Sequence, residues 1–533
     1  MLASASVRAA AQVRSQLDLG GASIEVGGEE ERYLRVLQIA GKAPLTPWTV
    51  QPFSPTQTAA LRKLGPNPWE SRYDSTSREH AASVLRPKAR VIGNSTFPFQ
   101  DGPGPTWAGR GLTGEVEGGI AARWTVVHFQ LAPTAFLAQN LSFALAPNGR
   151  TGDQRFGDAR FPLQIDAPQR FGSKAYGRID PGESSLSADA LGLFVGLSSA
   201  AQRWGPDREF PLVLGPNAGG FPEAFAGTSK PLDLWLFRVH GRVVYGELGQ
   251  SAIAAPVLGE RRRFGSGLVG TILPRGVPGL ELGGSRFIHE EWPAGGLTLH
   301  SFTRPFSAAG NLLGSSSADN PRTENQVASF FARWALPSAK AEFYGELYRE
   351  DFFGKFHRAP GSLIEKPDDY ASFALGFQRV FVSNEHHIRL VRGELVNGEI
   401  SHQERDARGF TIPLPPYIHS VVTQGHTVNG LILGSPDAYG GSGWRLGVDD
   451  YTSSGRRSFT FERSLRFDWL PGTATGTSLV HPDVIYDVRA EMLRFAGRRD
   501  IGITLIPAVD LNRNLVAKHD VLNLTAAVTV RGW

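Results

Sequence analysis

Paired carboxylates are the commonest apparatus for cleaving a glycosidic bond: one protonates the leaving oxygen while the other serves as base or nucleophile. The chain offers Glu290-Glu291, Asp368-Asp369 and Asp449-Asp450. Neighbouring side chains on a strand point to opposite faces, so neither member of such a pair can share a cleft with the other. Metal chemistry has no better support. Among 13 histidines the one adjacent pair is His386-His387, and neither His-x-x-x-His nor His-Glu-x-x-His spacing occurs. Cysteine is absent, which removes disulfides, zinc fingers, iron–sulfur sites and thiol nucleophiles together. No Gly-x-Ser-x-Gly elbow is present, and the spacing from Gly215 to Gly220 lacks the strand–turn–helix context of a dinucleotide site. The sequence therefore predicts no catalytic residue, no metal and no cofactor.

Sugar binding asks for different groups: flat apolar rings for the pyranose face, and planar hydrogen-bonding groups for hydroxyls and uronates. Arg203-Trp204-Gly205-Pro206 carries that chemistry at a strand end, with Asn217 close behind. Arg286, His289 and Glu290 precede another long connection, and His426 and Asn429 precede a short apolar run. These eight residues, Arg203, Trp204, Asn217, Arg286, His289, Glu290, His426 and Asn429, are the candidate polysaccharide contacts. A competing reading makes Trp204 a girdle tryptophan with a snorkelling Arg203 at a membrane boundary.

The elements that would hold such residues are strands. With 62 Gly, 36 Pro and 10% aromatic residues the chain describes many short strands and punctuated turns. From about Thr113 onward apolar and polar residues alternate. Phe459, Phe461, Leu465 and Phe467 share one face; Tyr486, Val488, Ala490 and Met492 alternate with Asp487, Arg489 and Glu491. Similar alternation marks Leu191 to Leu197, Trp235 to Val239, Phe373 to Phe377 and Ile501 to Leu505. A mean hydropathy of −0.19 and the lack of an apolar 18-mer exclude a helical membrane protein. They do not exclude a barrel, in which alternate residues alone face lipid. Tight connections such as Asn397-Gly398 and long ones at 147–185 and 306–322 fit the short turns and long loops of bacterial barrels, and roughly 16–18 strands are expected. Charged and polar wall residues, including Tyr245 with Glu247, Tyr344 with Glu346, and Asp487, Arg489 and Glu491, are expected to fill the lumen with ion pairs.

Ahead of the strands the pattern is helical. Residues 1–28 read as a loose tail. Glu29-Glu30-Glu31 precede Tyr33, Leu34 and Leu37, with Gly41 past the stop, and Ser54-Pro55-Thr56-Gln57 supplies a capping box before Gly65-Pro66. A third helix is predicted at 77–86, ended by Pro87. The domain reading is a tail at 1–28, a periplasmic helical segment at 29–112 and a barrel at 113–533. Acidic (51) and basic (55) residues nearly balance, with Arg261-Arg262-Arg263 the longest basic run, so nucleic acid is not a partner. No signal-peptide pattern stands at the N-terminus.

Several ordered motifs resemble the capsule assembly Wzi family. They are Asn94-Ser95-Thr96-Phe97-Pro98, Trp107-Ala108-Gly109-Arg110-Gly111, Arg203-Trp204-Gly205-Pro206, Pro211 to Ala218, and Gly425 to Gly434. Leu34-Arg35-Val36-Leu37 and Pro47-Trp48 fit the family's N-terminal region, and the resemblance runs from about residue 30 to the end. It implies an outer-membrane barrel of about eighteen strands with N-terminal helices occluding its periplasmic mouth. The implied function is that of a surface lectin holding capsular polysaccharide, neither enzyme nor open pore. The expectation is thus an all-β, closed antiparallel transmembrane barrel in the bacterial outer membrane. It would be monomeric, in contact with lipid and lipopolysaccharide, and bind capsular or other extracellular polysaccharide. An outer-membrane pore for small solutes is the alternative. One detail departs from the barrel pattern: Trp533 falls off the apolar face formed by Leu522, Leu524, Ala526, Val528 and Val530, unless a bulge at Gly532 swings it across.

Overall fold

The structure is a computed structural model that describes residues 23–72, 81–99, 104–254, 262–312, 324–350, 371–399, 415–419, 421–467 and 481–532. Eighteen antiparallel strands close into a barrel. The first half comprises β1 (Ala81–Asn94), β2 (Gly111–Trp124), β3 (Val127–Leu131, resumed at Thr134–Ala138), β4 (Tyr176–Asp180, resumed at Ser185–Ala190), β5 (Leu193–Ser198), β6 (Glu223–Thr228, resumed at Leu232–Leu234), β7 (Phe237–Gly249), β8 (Arg262–Pro274) and β9 (Leu280–Glu291). The second half comprises β10 (Glu324–Leu336), β11 (Ala341–Glu350), β12 (Ala371–Ser383), β13 (His387–Asn397), β14 (Ser442–Thr452), β15 (Gly455–Phe467), β16 (Asp483–Ala496), β17 (Arg499–Leu511) and β18 (Val521–Arg531). β1 closes the ring by pairing with both β2 and β18.

Alternation along each strand separates two environments. Phe459 and Phe461 on β15, Phe373, Leu375 and Phe377 on β12, Ile503 and Leu505 on β17, and Leu522, Leu524 and Val528 on β18 are exposed on the outer wall. Together they form the apolar belt that a barrel turns toward lipid. Asp487, Arg489 and Glu491 point inward, where Arg489 pairs with Glu462 at 3.1 Å and Glu491 with Arg456 at 3.1 Å. Tyr344 and Glu346 are buried in the same interior. Two faces come out otherwise. Tyr245 and Glu247 stand on the outer wall, because the buried residues of β7 are its even-numbered ones. Leu465 and Phe467 are buried rather than part of the exposed belt, a register shift separates them, and Phe467 packs on Ala146 and Ala159.

Connections alternate in length around the barrel. One end carries tight turns such as Thr125-Val126, Leu191-Gly192, Ser453-Ser454 and Gly497-Arg498, and the other carries long segments including 139–175, 199–222 and 398–441. Asn397-Gly398 opens the last of these and is not a tight turn, since Gly398 N–H bonds to the Gly441 carbonyl across the mouth of the loop.

The predicted early helices form as their caps dictate. α1 spans Glu29–Ile39 with three acids in its first turn and Gly41 at φ +73 beyond it. α2 spans Pro55–Leu61: Ser54 Oγ accepts from Gln57 N–H at 3.0 Å and Gln57 Oε1 from Ser54 N–H at 3.0 Å, which completes the capping box. Of the predicted third helix, residues 81–86 belong instead to β1, so among the described residues the barrel starts at Ala81 rather than 113, and 77–80 lie outside them. Pro87, read as a helix stop, sits where the β1–β2 ladder shifts register, the one kind of interior strand position that tolerates a missing N–H. Of the expected tail, Ile24 and Val26 are buried, and residues 1–22 lie outside the described residues. So do Asp368-Asp369 and Trp533. Gly532 takes φ +98, which ends the extended run of β18 just before that tryptophan.

Candidate functional site

The interior of the barrel is occupied by its own chain, entered from both ends. From the tight-turn end α1 lies inside the wall, with Tyr33, Leu34 and Leu37 packed against Val380, Ile388, Leu390 and Tyr451. Amphipathicity explains why a helix this short holds its shape: it has no stability alone and acquires it from the wall. Its charged residues are tied as firmly. Arg35 Nε donates to Glu342 Oε1 at 3.0 Å, and Glu342 Oε2 accepts from Arg333 Nη2 at 3.0 Å. Arg333 also reaches Glu281, whose Oε2 accepts from the Trp48 and Thr49 N–H groups at 2.9 and 3.2 Å.

From the long-loop end the 199–222 segment descends to meet this N-terminal unit. Val50-Gln51 and Arg203-Trp204 form a two-residue ladder in the lumen. Glu31 stands at the junction: one carboxylate oxygen accepts from Arg203 Nη1 at 2.8 Å and from Trp48 Nε1 at 2.8 Å. Burial alone would raise this carboxyl, but the Arg203 and Arg35 guanidinium groups outweigh it and hold it near a pKa of about 2. Gly205 is required here by φ +97 and by space, since a Cβ would lie 2.6 Å from the Glu346 carboxylate. Below the turn, Glu394 accepts from the Glu209 and Phe210 N–H groups at 2.9 and 2.7 Å, and Arg208 pairs with Asp449 at 3.3 Å.

A second loop, 415–441, closes over the first. Tyr417 OH donates to the Leu212 carbonyl at 2.8 Å, His426 Nε2 to the Val213 carbonyl at 2.6 Å, and Arg263 Nη1 to the Gly425 carbonyl at 2.6 Å. Burial holds the His426 imidazole down to a pKa of about 4, so it is neutral at pH 7 with Nε2 protonated.

The eight predicted contacts therefore separate. Arg203, Trp204, His289 and His426 are buried in the interior. Trp204 lies in the interior and not at a membrane boundary: its ring is edge-on to Phe287, 6.0 Å between centroids, over the backbone of Gly267. Asn217 is half-buried and donates to the Ile432 carbonyl at 2.7 Å, and Asn429 bonds through its N–H to the Gly249 carbonyl at 2.9 Å. Both positions join loop to loop or loop to wall. Arg286 and Glu290 project from the outer wall while His289 between them points inward, as alternation requires. What sequence reasoning missed is the outer surface of the 139–175 loop, where Arg150, Arg155 and Lys174 are exposed. The signal was available in Gly149-Arg150-Thr151-Gly152-Asp153, a charged polar turn at the tip of a long connection. Among the described residues no cluster of His and acidic side chains has metal-binding geometry.

These features define an outer-membrane-type β-barrel whose lumen is filled by its N-terminal segment and its own loops. No family model matches the chain, and no curated protein sequence matches it. In structure it is similar to Wzi of Escherichia coli, an outer membrane protein involved in group 1 capsule assembly and a carbohydrate-binding β-barrel. The identity is 14% and the TM-score 0.61, with 95% of this chain and 99% of that chain covered. At that identity the likeness establishes the fold. OprD and OpdQ of Pseudomonas aeruginosa match at TM-scores of 0.36 and 0.40 with 11% and 8% identity, covering 84% and 85% of this chain and 92% and 98% of theirs. Scores at that level carry no argument about function.

Proposed function

We propose that this protein resides in the bacterial outer membrane as a monomer and binds and anchors an extracellular or capsular polysaccharide at the cell surface. The observation that supports the reading is the occupation of the lumen by the N-terminal segment and the descending loops. The interior is crossed by the Glu31–Arg203, Arg35–Glu342 and Arg208–Asp449 pairs, an occupancy that disfavours a diffusion pore. What such a barrel presents outward is its loop surface. That surface carries the exposed Arg150, Arg155 and Lys174, suited to uronate or other acidic groups on a polymer. The similar barrel from Escherichia coli binds carbohydrate, which supports the same class of ligand here.

Retention of alginate, a polyuronate, by liposomes carrying the full-length protein tests this. The wild-type protein should retain it in a salt-sensitive way, and the triple variant Arg150→Ala, Arg155→Ala, Lys174→Ala should bind on the order of tenfold more weakly, about 1.4 kcal/mol. Retention by the wild type no greater than that of protein-free liposomes, with neutral dextran and alginate alike, would refute the proposal.

A further inference from the structure

Outside the barrel, the connection between β9 and β10 contains a helix, α3 (Leu299–Leu312). It packs on the outer wall over the loop-side ends of β8 and β9. The wall beneath it is unlike the belt. Toward the tight-turn end the outward residues of β8 to β10 are apolar and exposed, among them Ile272, Leu282, Phe330 and Trp334. In the same outward register toward the long-loop end stand Arg286, Glu290, Glu324 and Gln326, with the buried Phe264 and Ile288 among them. Charged groups facing acyl chains are costly, and here they are covered. Arg304 of α3 pairs with Glu324, Arg286 Nη1 donates to the Arg304 carbonyl at 3.1 Å, and Tyr245 OH donates to the Phe302 carbonyl at 2.6 Å.

The helix is therefore amphipathic in the reverse sense to one in water. Its wall-facing Ser301 and Arg304 are buried, whereas Leu299 and Phe306 are 79% and 50% exposed on the outward side. Phe302 lies at the flank with its ring against Tyr245 and Phe264 of the wall, 5.2 and 6.0 Å between centroids. An aqueous helix hides its rings and displays its arginine. The arrangement fits a surrounding medium that is itself apolar, as it is for the exposed belt residues on the same strands that the helix covers.

We propose that α3 is an interfacial helix that roofs the charged stretch of the barrel wall and inserts Leu299 and Phe306 among the acyl chains of the outer leaflet. The occupant of this face is lipid hydrocarbon, not the polysaccharide and not a second copy. The inference rests on the barrel spanning a membrane and is independent of the ligand proposed above.

The cysteine-free chain makes the test direct. Leu299→Cys and Phe306→Cys, each carrying a nitroxide label, are placed in the full-length protein in phosphatidylethanolamine–phosphatidylglycerol vesicles. Oxygen and a water-soluble nickel chelate then compete as relaxation agents. Both sites should favour oxygen over nickel severalfold, as a label at Leu282→Cys in the belt does, whereas a label at Lys174→Cys favours nickel. Nickel access at 299 and 306 equal to that at 174 would overturn the proposal. Spin–spin broadening that vanishes on dilution with unlabelled protein would also overturn it, by assigning the face to a second copy. If one variant fails to fold, the other decides.

Discussion

Replacing Glu31 by alanine is expected to loosen the interior of this barrel more than any other single change. The carboxylate accepts from Arg203, Trp48 and Gln51, and so joins α1, the segment after it and the descending loop at one point. Without it the Arg203 guanidinium remains buried with no counter-charge, a situation that costs about 3–5 kcal/mol. The wall strands keep their ladders, so the cost falls on the inserted segments. The population with the N-terminal unit released should rise on the order of a hundredfold or more, read as the rate at which trypsin cleaves after Arg32 and Arg35 in the folded, membrane-embedded protein. Glu30→Ala is the control, because Glu30 pairs with Arg62 at the less buried periphery and should change that rate little. The pH dependence has a definite sign. A carboxyl lowered from 4.5 to about 2 stabilises the folded state fully above 4.5, and that contribution is lost as pH falls from about 4.5 toward about 2. Release in the wild type, read at these pH values by hydrogen exchange of the α1 amides because trypsin is inactive there, should accelerate over that interval, and the Glu31→Ala variant should lack that part of the response. Equal cleavage rates for wild type and Glu31→Ala at pH 7 would show that the junction does not hold the segment.

Trp204→Ala carries the second large effect. The side chain is fully buried in the main lumenal cluster with Phe210, Leu212 and Phe287, and its Nε1 donates to Gln202 Oε1 at 2.8 Å. Gly267 on the wall leaves room for the ring, since a Cβ there would come within 2.6 Å of the indole. Truncation leaves a cavity that a rigid wall cannot collapse into, at about 3–5 kcal/mol. Trp204→Phe keeps most of the volume and should cost less than half as much. Urea-induced release of the inserted loops, followed by protease accessibility, measures the order Trp204→Ala, Trp204→Phe, wild type. A glycan-binding defect in Trp204→Phe without any change in loop release would contradict the structural role given to this residue.

How far the sequence reveals this depends on the range of each signal. Local signals are fully legible. The capping box at Ser54 and Gln57 fixes where α2 starts, and the inward charges of Asp487, Arg489 and Glu491 identify a lumenal face from strand period alone. Phase is harder. Alternation says that Tyr245 and Glu247 share a face with each other but not which side of the wall it is, and one residue of shift decides the matter. Contacts distant in sequence are not visible at all. Arg203-Trp204 has the composition of a sugar platform, and only the ladder to Val50-Gln51, some 150 residues away, places it in the interior. α3 was hidden for a local reason: Pro305 interrupts the helical pattern, although Leu299, Phe302 and Phe306 keep the spacing of one helix face.

To hold a polymer on its outer face without passing solutes, as proposed, this barrel must be electrically closed. Single-channel recording of the full-length protein in planar bilayers at neutral pH measures this directly. The filled lumen predicts a flat baseline for the wild type and intermittent openings for Glu31→Ala, as the N-terminal unit leaves the mouth. Regular, porin-sized current steps from the wild-type protein under the same conditions would contradict the account.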